Sequence, residues 1–386
     1  MRVTNATVYR NFTSSVNEVH SRLNKSMNKV SSGKAYESAA ENPLAYYEGK
    51  KIDNQYQDVL SNLSLITDVK NRIEQQASGA LSIQQSLAGA KTKVEYIISD
   101  SNNGNMSTVD TIKEDLLQKA QSMVNDLNGQ YQNFYIYGGN DISTPPFSLS
   151  ADGKTLTYTH KFPGDTAATS MSMTLEKQGD GTYAYTIKDG SISSGDLDKI
   201  RKSMEEQGRM DVGYGSISDR ETLLDTYTGG MNLLTGLNSD AMRASGKDAT
   251  GAVTSGVTND VLLERLNNSP IALIGKAAAV MDDYSKGDAT KEQFSSILGN
   301  VMGAMTETEH NVSTVYSDLG NKSALLETTN TKLTSMKVSL TEQYKDKLGA
   351  DPYEAITEMY SNQYSYSAAL KIGSNLVQAS LFDFIR

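Results

Sequence analysis

Two rows of aliphatic side chains recur every seven residues in widely separated parts of the chain. One reads Ile52, Val59, Ile66, Ile73, Ala80, Leu87, Val94, and the other reads Met305, Val312, Leu319, Leu326, Leu333, Leu340. A heptad repeat held this long keeps one seam of a helix turned towards a partner helix, which is coiled-coil geometry. The rows predict two long helices lying together, with the intervening chain building something else and the chain ends finishing side by side.

The flanking patterns extend this reading. Asn5 to Ser32 reads as an amphipathic helix, with Val16, Leu23 and Val30 one heptad apart, Met27 beside them, and Gly33 able to take the left-handed closing conformation. Asn42 as N-cap and Pro43 as first helical residue start the long helix, which runs to about Ser99 and would be roughly 80 Å long at 1.5 Å per residue. After a turn at Asn102 to Asn105, a third helical pattern passes through Val109, Ile112, Leu116, Val124, Leu127, Tyr131 and Phe134. Between Tyr135 and Gly190 the period changes to two. Alternating runs at Thr155 to Thr159 and Tyr183 to Ile187, with turn signals at Gly138-Gly139, Pro145-Pro146, Asp152-Gly153 and Asp180-Gly181, predict β-hairpins.

Asp196 to Gly208 then reads as a short helix, Met210 to Tyr214 as a strand, and the Gly/Ser/Thr-rich tract Thr228 to Thr258 mostly as loop. Helix returns from Asn259 to Tyr284, breaks at Lys286-Gly287-Asp288, and resumes from Lys291 to Leu348, where Gly349 closes it. Asp351, Pro352 and Glu354 supply an N-cap, a first helical residue and a capping-box partner for the last helix. Its stripe is Ile356, Tyr360, Gln363, Ser367, Leu370, Ser374, Val377, Leu381, Phe384.

The expected fold is mainly α with a β-rich insert, built on long antiparallel coiled-coil helices from both ends of the chain. Three regions follow: terminal helices at 1–42 and 350–386, a helical coiled-coil domain at 43–135 and 259–349, and a β-rich outer domain at 136–258. The terminal stripes are thin. At ~25 cal/mol per Å² of apolar burial against ~1–2 kcal/mol per ordered residue, a lone pair of such helices is marginal. Both termini are therefore expected to order when neighbouring chains pack on them, through Val16, Leu23, Met27, Val30, Ile356, Tyr360, Leu370, Val377, Leu381 and Phe384.

Composition narrows the function. The 386 residues carry a formal net charge of -10, which opposes contact with nucleic-acid phosphates or anionic lipid. No run approaches the ~20 apolar residues of a membrane span, and Met1 to Leu23 has no signal-peptide core, so the expectation is a cytosolic chain or one exported without a cleavable signal. Cysteine is absent, which removes disulfides, thiol nucleophiles and zinc-thiolate sites. His20, His160 and His310 stand in separate elements without convergent partners. Gly33-Lys34 and Gly246-Lys247 lack the rest of a phosphate loop, and Lys286-Gly287-Asp288 lacks calcium-loop spacing. We expect no enzyme activity, no cofactor and no metal.

Three segments carry a family resemblance. Leu23 to Gly49 contains Val30-Ser31-Ser32-Gly33-Lys34 followed by Ala39-Ala40-Glu41-Asn42-Pro43. Tyr135-Ile136-Tyr137-Gly138-Gly139-Asn140 precedes Thr144-Pro145-Pro146-Phe147. Asp351 to Arg386 ends Ser380-Leu381-Phe382-Asp383-Phe384-Ile385. In this order and at these distances from the two ends they resemble the flagellin superfamily, and within it the hook-associated proteins of the hook-filament junction. The tract from Ser150 to Asn259 resembles nothing specific.

The resemblance implies a secreted structural subunit of the bacterial flagellum, exported unfolded by the type III route with a chaperone on its C-terminal helix. It also implies assembly in a ring of like copies between hook and filament, beside another hook-associated protein and flagellin, with the terminal helices innermost. Two other readings stay open: a filament-forming flagellin, and a secreted coiled-coil effector or adhesin acting through its β insert.

Overall fold

The computed structural model describes residues 5–99, 104–187, 192–205, 209–211, 223–225, 228–237, 245–247, 253–255 and 257–384, with backbone alone for 5–6, 209–211, 223–225, 245–247, 253–255 and 375–384. The chain divides into two compact units, Met1–Ser64 with Thr331–Arg386, and Leu65–Asn330. Helices α1 (Asn5–Ser32), α2 (Pro43–Ile98) and α3 (Met106–Leu127) come first. Strands β1 (Gln130–Tyr131), β2 (Phe134–Tyr135), β3 (Phe147–Leu149), β4 (Thr155–His160), β5 (Thr169–Lys177) and β6 (Tyr183–Ile187) follow. Then come α4 (Ser194–Glu205), β7 (Arg209–Asp211), β8 (Leu223–Asp225), α5 (Gly230–Thr235), β9 (Ser245–Lys247) and β10 (Val253–Ser255). Helices α6 (Asn259–Asn267), α7 (Pro270–Lys286), α8 (Lys291–Leu348) and α9 (Pro352–Phe384) complete the chain. No helix among the described residues is long and apolar enough to cross a membrane.

In the larger unit the heptad rows form the core. Ile66, Ile73, Ala80, Leu87 and Val94 of α2 and Met305, Val312, Leu319 and Leu326 of α8 are at most 1% exposed. A second row on α2, Val69, Gln76, Ile83, Ala90 and Ile97, interleaves with the first and is at most 6% exposed, completing the alternation of three and four that a packed seam requires. Side-chain bonds between the helices run Thr67 to Asn330 (3.4 Å), Lys70 to Glu327 (2.5 Å), Glu74 to Ser323 (3.4 Å) and Lys91 to Glu309 (2.7 Å). Numbers rise on α2 as they fall on α8, so the pair is antiparallel. The two ion pairs among them, Lys70–Glu327 and Lys91–Glu309, are solvent-screened and add little beside the buried apolar seam.

Helix α3 packs on the same bundle through Val109, Ile112, Leu116, Ala120, Met123, Val124 and Leu127. It starts where Asn105 accepts bonds from the Ser107 and Thr108 amides. It stops at Leu127, short of the expected Tyr131 and Phe134. Those two residues lie instead in the β1-β2 hairpin, whose turn holds Gln132 and Asn133 at positive φ, so the apolar spacing there belongs to strands.

Strands β3 to β6 form a four-stranded antiparallel meander in sequence order. Leu156, Tyr158 and His160 of β4 and Met171, Met173 and Leu175 of β5 alternate inward, as a half-buried sheet demands. Strand β5, with its regular Met-Ser-Met-Thr-Leu alternation, lies between the two expected strands and pairs with both. Both edges are closed by asparagine amides. Asn128 bonds the carbonyl (2.7 Å) and amide (3.0 Å) of Phe147 on β3, and Asn267 does the same to Tyr185 on β6 (2.8 and 2.7 Å). Each amide imitates a neighbouring strand, which satisfies edge groups that would otherwise recruit one.

Two further expectations change. The helix expected from Asn259 to Tyr284 is two helices, because Ser269 caps a new start with Pro270 at its first position, and a proline there ends the preceding run. The tract expected as loop contains α5, whose Met231, Leu233 and Leu234 are buried, so core packing overrides its loop-like composition. The expected strand from Met210 to Tyr214 is present as β7 to Asp211, and Val212 to Tyr214 lie outside the described residues.

Asp141 ties the turn at Ser143-Thr144 to the chain at Lys161. Its carboxylate accepts bonds from the Ser143 amide (3.0 Å), the Ser143 hydroxyl (2.8 Å), the Thr144 amide (3.3 Å) and the Lys161 amide (2.8 Å). Burial alone would raise its pKa, but these donors more than reverse that and hold it below the usual carboxylate value. A depressed folded pKa means stability that is present above the unfolded value of about 3.9 and lost as pH falls through the folded one. Asp141→Asn, which turns an NH₂ towards donors, should cost ~1–3 kcal/mol at pH 7. In urea titrations the gap to the wild type should close as pH is taken below about 3.9; an unchanged gap at low pH would remove the carboxylate from this role.

Candidate assembly surface

The smaller unit pairs α1 with α9. Lys29 to Glu358 (3.0 Å), the Arg22 carbonyl to Asn362 (3.4 Å) and the rings of His20 and Tyr366 (5.3 Å between centroids) run in opposite senses along the two helices, so the pair is antiparallel. The bond to Glu358 holds the Lys29 ammonium above its usual range. At the base of the pair, Ala35 donates to the Leu348 carbonyl (2.6 Å) and Ala350 to the Gly33 carbonyl (2.9 Å), joining the two inter-helix loops as a single rung of sheet. Gly33 closes α1 at φ +69°, and Asp351 caps α9 by accepting the Tyr353 (2.8 Å) and Glu354 (3.1 Å) amides. Beside this rung Glu48 of α2 pairs with Lys347 of α8 (2.8 Å), and Ile52, Val59, Leu333 and Leu340 continue the heptad rows as buried positions.

The seam between α1 and α9 is thin. On α1 the least exposed line is Phe12, Val16, Val19, Leu23, Ser26 and Val30; on α9 it is Ala355, Met359, Asn362, Tyr366, Ala369 and Gly373. Small residues on α9 let the helices approach. A Cβ placed on Gly373 would lie 2.3 Å from the Phe12 ring, so the phenyl group rests against bare backbone. Several members of both lines are only half-buried, and two are polar.

This line sits one residue, or 100° of helix, away from the stripe expected on α9. The expected stripe is left open: Ile356 is 42%, Tyr360 61% and Leu370 49% exposed. Directly opposite the seam stand Tyr353 at 83% and Tyr364 at 79% exposed. Of the residues expected to meet neighbouring chains, Val16, Leu23 and Val30 face α9 half-buried, and Met27 is 50% exposed. The side chains of Val377, Leu381 and Phe384 lie outside the described residues. Sequence reasoning missed Tyr353 and Tyr364, whose spacing of seven and four around Tyr360 places all three on one face. It also missed the exposed Tyr9, Leu44 and Tyr47 of the same unit.

Exposed tyrosines dominate this surface. Tyrosines of this kind bring large apolar area and a hydroxyl at low entropic cost, the composition of protein contacts rather than of catalytic clefts. Among the described residues no group of three or more His, Asp or Glu is placed to hold a metal ion.

No protein-family model and no curated protein matches the chain. Among solved structures it is similar to a Vibrio parahaemolyticus protein provisionally assigned as flagellar hook-associated, at 12% identity over 80% of this chain and 100% of that one, with TM-score 0.48. It is also similar to Xanthomonas campestris FlgL, at 12% identity over 76% and 99% of the two chains with TM-score 0.42. Bacillus cereus FlgL aligns at 14% identity over 78% and 100%, with TM-score 0.36.

Proposed function

We propose that this chain is a non-enzymatic structural subunit of the bacterial flagellum, exported to the cell exterior, that joins hook to filament by assembling with copies of itself through its terminal helices. The observation that carries this reading is the outer face of the α1/α9 pair. A thin seam that leaves Tyr353, Ile356, Tyr360, Tyr364 and Leu370 in water is a poor solution for a monomer and a ready one for a ring of neighbours. The three sequence segments that resemble the junction proteins support it, two of them lying in this unit. On this reading an export chaperone covers α9 before assembly, and hook-associated protein and flagellin are the neighbours on either side.

The test is to add the purified chain to isolated hook-basal bodies. Binding at hook tips that stops at a short ring is expected. Long filaments would favour the flagellin reading, and no association would overturn the assignment. If activity lay instead in a secreted effector's β insert, deleting residues 140–259 would abolish function, whereas a junction subunit would keep motility.

Hydrogen exchange on the dilute monomer gives an independent check. Residues 5–32 and 352–384 should exchange orders of magnitude faster than the buried rows of α2 and α8, and slow down on assembly. Equal protection of both in dilute solution would contradict ordering by neighbours.

A further inference from the structure

Away from the terminal pair, the α6-α7 joint builds a feature that assembly does not use. Helix α7 is buried almost without interruption from Ile271 to Met281, and Lys276 is the one charged residue in that run. Its ammonium donates to the Asn267 carbonyl (2.7 Å), which occupies one of three N–H donors. Asn267 is itself held by its two bonds to the β6 edge, and the Asn268 carbonyl accepts from Thr308 of α8 (2.7 Å), so the joint is fixed on two sides.

Lys276 lies on the wall of a cavity of about 180 Å³ that also touches Thr182, Tyr183, Asn268 and Asn300. Among the described residues no carboxylate is within ion-pair distance of it, and burial, with nothing opposing it, holds the amine down to about 8. The hydroxyls of Thr182 and Tyr183 are committed to Asp180 and Asp283, both at 2.6 Å. The lining therefore presents a cation without a counter-charge among the described residues, bordered by two exposed asparagines, Asn268 and Asn300.

The geometry points to a binding site for a small free oxyanion, of the phosphate or carboxylate class, held by Lys276 and the two asparagine amides. A half-buried ammonium that has a carbonyl partner but, among the described residues, no counter-charge carries a desolvation cost that an anion would reduce. The adjoining cavity, which shares Asn268, is lined by Glu264 and Glu307 together with Arg265, and its net negative charge disfavours an anion large enough to reach into it. This site is independent of the terminal helices and goes beyond the assembly role.

The test is thermal unfolding of the full chain in inorganic phosphate and, separately, in acetate, each against sodium chloride of equal ionic strength. For an anion at ten times its dissociation constant the midpoint should rise by about 3 °C over the chloride control. Lys276→Met keeps the volume and should lose the rise, while its midpoint in chloride equals or exceeds that of the wild type. Asn300→Leu keeps the ammonium but occupies the cavity mouth, and should lose the rise too. The response of the wild type to phosphate and acetate separates the two classes. No rise over chloride in either anion, or a rise that survives in Lys276→Met, overturns the site; should Lys276→Met fail to fold, an undiminished rise in Asn300→Leu overturns it.

Discussion

Replacing Gln76 by leucine should destabilise the protein by ~3–5 kcal/mol, although the change makes the helical seam more apolar. Gln76 is fully buried and occupies a heptad position between Ile73 and Ala80, where leucine would fit the helix pair well. Its amide is used elsewhere. Nε2 donates to the carbonyls of Ile136 (2.5 Å) and Thr228 (3.0 Å), Oε1 accepts from the Thr228 amide (3.2 Å), and the Gln76 carbonyl accepts from the Tyr137 hydroxyl.

Leucine would strand three main-chain groups inside the protein, each costing ~1–3 kcal/mol when left unpaired, partly offset by the added apolar contact. Urea unfolding measures the loss, and Ile73→Val, at ~0.5–1.5 kcal/mol, calibrates an ordinary core change one turn away. Exchange at residues 136–141 should accelerate in Gln76→Leu alone. A variant as stable as the wild type would mean that the loop finds other partners and that Gln76 does not hold it.

The double substitution Tyr360→Asp with Leu370→Asp is expected to do the reverse, leaving the monomer intact and abolishing assembly. Both side chains are about half or more exposed, so their loss should change unfolding by no more than ~0.5 kcal/mol. In an assembled ring each would be buried, and a contact worth ~2 kcal/mol lost twice, with two carboxylates now desolvated, weakens association by a factor of 10³ or more. Hook-tip binding against concentration reads the assembly, and urea midpoints read the fold. Unchanged binding by a folded variant would remove this face from the interface; a large drop in the midpoint would show that it supports the monomer instead.

Much of the fold is legible in the residues because helix signals are local. The heptad rows, the caps at Asn42 and Asp351 and the closing glycines at Gly33 and Gly287 each follow from backbone geometry within a few residues. Hairpins at Asp152-Gly153 and Asp180-Gly181 are local in the same sense, with both glycines at positive φ. Pro270 was equally visible, yet the apolar run through Ile271 to Met281 masked the break it causes.

The candidate assembly surface is only half legible in the residues. Helix α9 carries apolar residues on more than one side, so its three-four spacing fits two adjacent stripes, and no rule internal to the helix chooses between them. The partner chooses: Phe12 needs the bare backbone of Gly373, which rotates Ala355, Met359 and Ala369 inward and leaves Ile356, Tyr360 and Leu370 outside. Gln76 is the same lesson in a polar residue. In the chain it looks like a flaw in a row of aliphatics, because its partners at Ile136 and Thr228 lie 60 and 152 positions away.

The chain alone therefore settles the long helices, most of their caps and the local hairpins, since periodicity and capping depend on neighbours a turn away. Folding in three dimensions settles which face of α9 is spent inside the molecule, which half-buried amides bond the sheet edges, and where Lys276 stands without a counter-charge among the described residues. Those depend on distances between residues far apart in the chain, and helical period carries no information about them.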